Sequence, residues 1–240
     1  MLEKIKIEDI LFIDIETVPA EASFENLNER MKHLWEVKTT QFNNNENFSP
    51  EELYFRAGIF AEFGKIICIS AGFVVMKNGQ KYFRLKSFAD NNEATLLQDF
   101  ATTITKFSQQ KEILLCAHNG KEFDFPYISR RMLINGIKLP AALDNAGKKP
   151  WDIKHLDTLE LWKFGDYKHY TSLNLLTAIF NIPTPKDDIS GADVAKVFYE
   201  EQNLNRIVTY CQKDVVAIAQ IMLRFKGDTL IPEENIQIAE

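Results

Sequence analysis

Short apolar runs rich in β-branched residues predict the strands of this chain. The first run lies near the N-terminus, at residues 11–17, with the sequence LFIDIET. A second run, 65–76, is followed by an Asn-Gly pair and a third run, 81–87, which is the pattern of a tight antiparallel hairpin. Two further runs, 113–117 and 153–158, bring the predicted number of strands to five.

Apolar residues spaced three and four positions apart predict helices in the remaining segments. One helix lies between the third and fourth strands, at 93–107, and another comes after the fourth strand, at 125–134. Three hairpin-linked strands followed by alternating helices and strands predict an α/β domain with a mixed sheet. The second half of the chain is predicted to be helical at 159–164, 173–180, 193–201 and 204–225.

We interpret residues 1–240 as one domain, because no linker rich in Gly, Pro or Ser divides the chain. A polar insertion occupies about 21–48 and contains apolar residues at the spacing of a short amphipathic helix. The sequence SPEE at 49–52 has the pattern of a capping box and predicts the start of another helix. From about residue 227 we expect a loose C-terminal tail.

Composition limits the class of protein. A hydrophobic content of 45% predicts a globular core, and the three cysteines fit reduced thiols better than a disulfide framework. The net charge of −6 argues against a broad cationic surface for duplex DNA, although bound divalent cations can offset an acidic pocket. No signal-peptide pattern and no apolar run of membrane-spanning length is present, so we expect a soluble cytoplasmic protein without a membrane partner.

Two carboxylates interrupt the first apolar strand. Asp14 and Glu16 are two positions apart, so their side chains point to the same face of the strand. Carboxylates in an apolar setting repel each other and are costly to desolvate unless a cation lies between them. A strand edge whose acids face water is the alternative interpretation of this segment taken alone.

Two more acids lie where they could complete the same site. Asp124 comes after the fourth strand at the start of a helix, where α/β proteins build sites, but it could instead only cap that helix. Asp214 lies four residues after Tyr210 on the last helix, so the carboxylate and the hydroxyl can address one point. Such a pair also occurs by chance in many helices.

The four acids together form an all-oxygen set. Hard cations such as Mg²⁺ and Mn²⁺ prefer these ligands, whereas clusters of His or Cys indicate zinc. Four carboxylates can hold two ions about 4 Å apart, the arrangement for in-line displacement at phosphorus. One ion lowers the pKa of the attacking water, the other stabilises the leaving oxygen, and Tyr210 orients the water. No P-loop, Ser/His/Asp group or dinucleotide motif competes with this interpretation.

Three motifs of the chain resemble, in order, the exonuclease motifs of the DEDD superfamily. They are Asp14-x-Glu16, Asn119-x-x-x-Phe123-Asp124 and Tyr210-x-x-x-Asp214. These proteins are DnaQ-like 3′–5′ exonucleases with a ribonuclease-H-like fold, and the tyrosine marks the DEDDy branch. The chain is most similar to the proofreading exonuclease domain of family-B DNA polymerases and to stand-alone exonucleases predicted from it. The stretches EFGKIICIS, HNGKEFDFPYI, HLDTLELW and YCQKDV carry this likeness.

The resemblance implies a mixed five-stranded sheet, with three antiparallel strands plus parallel strands, flanked by helices. It implies that two Mg²⁺ or Mn²⁺ ions bind to the four acids, and that Tyr210 positions the nucleophile. The implied ligands are Asp14, Glu16, Asp124 and Asp214. The implied substrate contacts are Thr17 and Val18 beside the terminal nucleotide, and Asn119 and Phe123 on the strand.

The expected activity is hydrolysis of phosphodiester bonds from the 3′ end of single-stranded nucleic acid, with DNA favoured, to release nucleoside 5′-monophosphates. A polymerase or a repair complex would be a partner of unknown identity. One alternative is an exoribonuclease that trims RNA ends, which differs in its treatment of the 2′-hydroxyl. Another is a non-catalytic nucleic-acid-binding module with the same fold.

Other polar residues have structural explanations that we prefer. We interpret Asp157, after the fifth strand, as a cap, and His118 as a hydrogen-bonded structural histidine. Basic residues interleaved with aromatic residues between 130 and 169 suit a groove for single-stranded nucleic acid. Scattered solvated lysines are the alternative explanation of that set.

Overall fold

The computed structural model describes most of the chain. Its described residues are 2–43, 48–110, 112–166, 170–183 and 188–239. Within these ranges the chain forms one six-stranded mixed sheet with helices packed against both of its faces.

The strands lie in the order β5-β4-β1-β2-β3-β6 across the sheet. The first three form the predicted antiparallel meander, and β4 and β5 add to it as parallel strands. In the β2–β3 turn both Asn78 and Gly79 have positive φ, 52° and 76°, as a tight hairpin with the strand twist requires. The strands are β1 Ile10–Pro19, β2 Gly64–Lys77, β3 Gln80–Ala89, β4 Leu114–Ala117, β5 Leu156–Asp157 and β6 Ile236–Ala239.

The prediction of five strands and a loose tail was wrong in one respect. Residues 236–239 pair in parallel with β3 as a sixth strand. Two contacts hold the approach to this strand: Gln220 exchanges two hydrogen bonds with the backbone of Ile231, at 2.7 and 3.0 Å, and Lys81 pairs with Asp228 at 2.9 Å. These partners are distant in sequence, so local pattern gave no sign of them.

Seven α-helices complete the described fold. The helix predicted at 204–225 has these bounds in the structure, because its apolar face packs on the sheet over its full length. None of the helices in the described ranges has the length and apolar character needed to cross a membrane. The helices are α1 Glu29–Thr39, α2 Glu93–Gln110, α3 Asp124–Ile134, α4 Thr158–Lys163, α5 Leu173–Ile179, α6 Val194–Tyr199 and α7 Leu204–Phe225.

The segment after residue 48 differs from its predicted α-helix. The capping box forms, with the Ser49 N–H donating to Glu52 at 2.7 Å and the Glu52 N–H donating to Ser49 Oγ at 3.2 Å. The next element is a 3₁₀ helix, Tyr54–Ile59, that lies directly on β1. A Cβ on Gly58 would come within 3.1 Å of the Val18 backbone, so glycine permits this close approach.

The polar insertion contains a small core of its own. Trp35 of α1 is fully buried and donates from its indole N–H to the Pro50 carbonyl at 2.7 Å. Aromatic rings surround it, with Tyr54 and Phe63 at centroid distances of 5.6 and 5.1 Å. The insertion therefore packs beside the 3₁₀ helix that covers β1. Residues 44–47 lie outside the described ranges.

Successive side chains of β1 point to opposite faces of the sheet and pack into two separate core layers. Leu11, Ile13 and Ile15 pack with α2 and α3 on one face, whereas Ile10 and Phe12 pack with α7 on the other. Residues two apart share a face of a strand. The side chains at positions 14 and 16 therefore point towards α7, at the end of the strand where the apolar pattern stops.

Candidate active site

The sheet presents the first two acids side by side. Opposite them on β2, Asp14 faces Ser70 and Glu16 faces Cys68. The register then shifts between Glu16 and Thr17, which marks a β-bulge. Bulges increase the local twist and re-aim side chains near active sites. Glu16 is 7% exposed and Asp14 is partly buried, so neither carboxylate lies at a solvated strand edge.

Asp124 joins this pair through a hydrogen bond to the strand itself. Strand β4 pairs with β1 only as far as Phe12, so the N–H of Ile15 has no partner there in the ladder. The Asp124 carboxylate accepts that N–H at 3.2 Å, across 109 residues of sequence. Asp124 is the first residue of α3, and Phe123, not Asp124, occupies the N-cap position of that helix. The predicted capping alternative is therefore not what the structure contains.

Helix α7 supplies the third pair of side chains. Tyr210 and Asp214 are 7% and 6% exposed, and the Tyr210 hydroxyl hydrogen-bonds to the Asp214 carboxylate. Between them, the Cys211 thiol donates to the carbonyl oxygen of Asp14 at 3.4 Å. This contact fixes the helix against β1 at the level of the acids. The structure thus brings together all five side chains that the motifs predicted.

The acids perturb one another strongly. Burial raises the pKa of Asp14 well above its ordinary value, and the charges of Asp214, Glu16 and Asp124 add to this effect. Burial likewise raises the pKa of Asp124 to about 7. The pKa of the Tyr210 hydroxyl is also raised, first by burial and then by the nearby carboxylates. Tyr210 is therefore a neutral hydroxyl at physiological pH.

These residues fit a divalent cation. Among the described residues, Asp14 Oδ2 is buried and has no hydrogen-bond partner. Asp14, Glu16 and Cys211 each offer one ligand atom, and these atoms lie within 4.8 Å of one another. Burial raises the pKa of the Cys211 thiol well above its ordinary value, so the sulfur stays protonated and the carboxylates are the available ligands. An oxygen donor set of this kind suits a hard ion.

The loop that leads to Asp124 is organised by Asp157, as the capping interpretation predicted. Its carboxylate accepts the Leu159 N–H at 2.9 Å and so caps α4. The same carboxylate accepts the N–H groups of Asn119 at 2.9 Å and Lys121 at 3.1 Å. Asp157 therefore holds the turn between β4 and α3 in place.

Thr17 and Phe123 lie beside the acids and contact a common neighbour. The Thr17 hydroxyl hydrogen-bonds to Tyr127, whose own hydroxyl donates to the Gly58 carbonyl at 2.8 Å. The half-buried ring of Phe123 lies 5.2 Å from that of Tyr127, between centroids. Contact of either residue with a substrate stays a prediction.

Val18 and Asn119 differ in their access to a substrate. Val18 has no exposed surface and packs in a cluster with Tyr210 and Cys211, which argues against its predicted contact with a nucleotide. Asn119 is partly exposed and has a positive φ of 66°, a conformation that asparagine tolerates better than most residues. Its predicted contact with the strand remains untested.

Two described members of the predicted groove of basic and aromatic residues make contacts within the fold. Arg131 pairs with Glu93 inside the protein, and Trp162 stacks on Phe225 with ring centroids 6.1 Å apart. Trp151 is 76% exposed. Residues 167–169, which belonged to the predicted set, lie outside the described ranges. Arg131 and Trp162 therefore have structural partners, and a groove formed by the other residues stays a prediction.

Sequence reasoning missed the position of Cys211 in the site. The only signal was its place in the third motif, directly after Tyr210, and neighbours on a helix do not normally share a face. The prediction for His118 agrees with the structure: its ring nitrogens lie 2.9 Å from Thr158 Oγ1 and from the Thr171 carbonyl oxygen.

Comparison with known families decides what kind of domain this is. Residues 59–230 match the model of a family described as predicted 3′–5′ exonuclease related to the exonuclease domain of PolB. The chain belongs to this family. The match to the PolB-exonuclease-related family spans Asp124, Tyr210 and Asp214, and it begins beyond Asp14 and Glu16.

Two archaeal polymerases are similar to this member of the PolB-exonuclease-related family. A DNA polymerase of Pyrococcus glycovorans is 23% identical over 186 residues, covering 70% of this chain and 23% of the polymerase. The family B DNA polymerase of Pyrobaculum calidifontis shares the fold with a TM-score of 0.55 at 15% identity, covering 90% of this chain and 24% of that chain. The chain spans about a quarter of the length of these polymerases. The predicted likeness to the polymerase exonuclease domain is thus confirmed.

Proposed function

We propose that this domain is a metal-dependent 3′–5′ exonuclease that removes nucleoside 5′-monophosphates from the 3′ end of single-stranded DNA. The observation that carries the proposal is the convergence of four carboxylates from three separate elements, with a buried Asp14 oxygen that has no hydrogen-bond partner among the described residues. The family supports the reaction class. The low identity to the polymerases leaves the substrate to be tested.

The acids would hold the metal. The four acids come from three elements: Asp14 and Glu16 from β1, Asp124 from the start of α3 and Asp214 from α7. Two Mg²⁺ or Mn²⁺ ions, when bound, would activate the attacking water and stabilise the leaving oxygen. Their binding would also offset the burial and the repulsion between carboxylates that raise the pKa of Asp14.

Tyr210 would orient the water that attacks phosphorus. Its hydroxyl is neutral, and its hydrogen bond to Asp214 fixes its direction. It can therefore act as a hydrogen-bond partner without taking the proton of the nucleophile. Burial of Tyr210 and Asp214 also keeps bulk water away from this side of the site.

Release of mononucleotides from a 3′-labelled single-stranded oligonucleotide with Mg²⁺ tests the proposal. We expect Asp214→Asn to lower the rate about a thousandfold, since loss of a ligand costs several kcal/mol of transition-state stabilisation. Tyr210→Phe should lower it about a hundredfold, the effect of a misplaced reactant. Equal rates in wild type and Asp214→Asn would refute the assignment.

Two controls sharpen this test. Glu112→Gln removes an exposed acid that pairs with Lys154 at 3.3 Å and should leave the rate unchanged. An RNA strand of the same sequence tests the choice of DNA, because only RNA carries the 2′-hydroxyl. Faster release from RNA would replace the proposed substrate with the exoribonuclease alternative.

A further inference from the structure

Tyr170 is an exposed aromatic residue at the margin of the acidic site. It is 67% exposed, and its ring meets the ring of His118 edge to face, with centroids 6.2 Å apart. Burial of part of the ring, together with the charges of Asp157 and Asp124, raises the pKa of its phenol. An aromatic face open to solvent therefore lies within electrostatic reach of a candidate metal ligand.

Two hydrogen bonds orient the His118 ring against which Tyr170 packs. The two ring nitrogens of His118 bind Thr158 Oγ1 and the Thr171 carbonyl oxygen, each at 2.9 Å. Burial lowers the pKa of His118, so the ring is neutral. Its Nε2–H donates to the Thr171 carbonyl oxygen, and Nδ1 can accept from the Thr158 hydroxyl. Asp157 fixes the backbone on the other side of His118. The ring of Tyr170 thus contacts the loop that leads to Asp124.

Base stacking could bind a nucleic-acid strand to this protein, whose negative charge repels phosphate groups. The chain has a net charge of −6, and the candidate site itself is acidic. Arg131 and Trp162, from the groove predicted in the sequence, are engaged inside the protein. Stacking of a base on an aromatic ring does not depend on the charge of the protein, and every base has a face that can stack.

We propose that Tyr170 is a stacking platform for one of the last two bases at the 3′ end of the substrate strand. This rests on the proposed exonuclease function of the neighbouring carboxylates. The ligand is a nucleobase of a single strand, without preference for its identity. Tyr170 would hold the strand end in register with the acids and would take no part in the chemical step.

Steady-state kinetics of two substitutions test the role of the ring. Tyr170→Ala should raise KM about tenfold, the effect of losing one base–aromatic stack, and should leave kcat nearly unchanged. Tyr170→Phe retains the ring and should behave as wild type. Phe55→Ala is the matched control and should leave KM unchanged, since Phe55 is an aromatic residue that is 73% exposed and lies outside the predicted groove. An unchanged KM in Tyr170→Ala would overturn the proposal.

Oligonucleotides that lack a single base locate the contact. We would compare strands with an abasic nucleotide at the last, the second-to-last or the third-to-last position. The tenfold effect of Tyr170→Ala should disappear for one of the first two strands, because the base that the ring contacts is already absent. An effect of equal size on all three strands would mean that Tyr170 does not stack on a terminal base, and would overturn the proposal.

Binding measured without hydrolysis separates this proposal from the exonuclease assignment. Fluorescence anisotropy of the same strands with Asp214→Asn protein, with and without Tyr170→Ala, measures stacking alone. No mononucleotide release by wild type, together with a tenfold Tyr170 effect on binding, would refute the exonuclease and retain the platform. Normal release with no Tyr170 effect on KM or binding would refute the platform and retain the exonuclease.

Discussion

Glu93 and Asp124 occupy the same kind of position in the fold but have opposite electrostatic environments. Each is the first residue of a helix, each is buried, and each accepts a backbone N–H from the sheet, Ile66 at 2.7 Å for Glu93 and Ile15 at 3.2 Å for Asp124. Glu93 then meets the guanidinium of Arg131. Asp124 meets other carboxylates, which help to raise its pKa.

The contrast identifies which buried acid is structural. Glu93 accepts hydrogen bonds from Arg131 Nε at 2.8 Å and Asn135 Nδ2 at 2.9 Å, so its charge is compensated within the protein. Asp124 lies among Asp14, Asp157 and Asp214, whose charges have the same sign. Burial alone therefore does not distinguish a site from a fold contact. The sign of the surrounding charge distinguishes the two acids.

The largest expected effect is on activity. Asp124→Asn keeps an oxygen to accept the Ile15 N–H but removes the charge, so we expect the exonuclease rate to fall about a thousandfold. The folded state should be preserved, which circular dichroism and urea unfolding of the metal-free protein would check. Retention of full activity would mean that Asp124, like Glu93, is a structural acid.

Glu93→Gln should show the reverse behaviour. Arg131 would remain buried without its anion, and breaking a buried pair in this way costs about 3 kcal/mol or more of folding free energy. Urea unfolding measures this loss, and kcat at a temperature where the protein is folded should be unchanged. A double substitution, Glu93→Leu with Arg131→Met, should recover part of the stability.

Binding of Mn²⁺ should distinguish the two acids by linkage. An ion that binds only the folded state adds about 2.7 kcal/mol of stability at a concentration one hundred times its Kd. We expect this increment in the wild type and in Glu93→Gln, and its loss in Asp124→Asn. Thermal melts with and without Mn²⁺ measure it. An equal shift in all three proteins would place the ion elsewhere.

The last prediction concerns the pH dependence of the metal-free protein. Asp124 has a folded pKa of about 7 against an ordinary value of 3.8, so the folded state binds more protons than the unfolded state between these values. Its contribution to the free energy of unfolding therefore falls as the pH rises from about 4 to 7. The difference between wild type and Asp124→Asn in urea titrations should show this slope, and Mn²⁺ should abolish it.

Several elements could be predicted because their signals are local. Helix α7 carries a long apolar face, and the hairpin carries its Asn-Gly pair, so both occur where the sequence predicted them. Strand β5 shows the limit of this reasoning. A run of six residues, 153–158, was predicted, but only Leu156–Asp157 pairs, because Asp157 turns to cap α4.

The sequence predicted which acids belong to the candidate site, but it did not predict the contacts around them. The spacing of Asp14 and Glu16 on one strand face is a consequence of strand geometry. The hydrogen bond from Ile15 to Asp124 spans 109 residues, and no local pattern encodes it. Glu93 and Asp124 also look alike in sequence, since each precedes a helical pattern. Only the fold determines which of them meets a cation from the protein.

Strand β6 affects whether separate molecules can pair through the edge of the sheet. It covers only Phe83–Lys86 of the ten-residue strand β3 and forms the outer border of the sheet. A long exposed edge strand presents unpaired backbone groups to other chains and favours self-assembly. The four-residue edge strand β6 presents few such groups. Displacement of residues 236–239 would therefore expose the backbone groups of Phe83–Lys86 as a template for pairing between molecules.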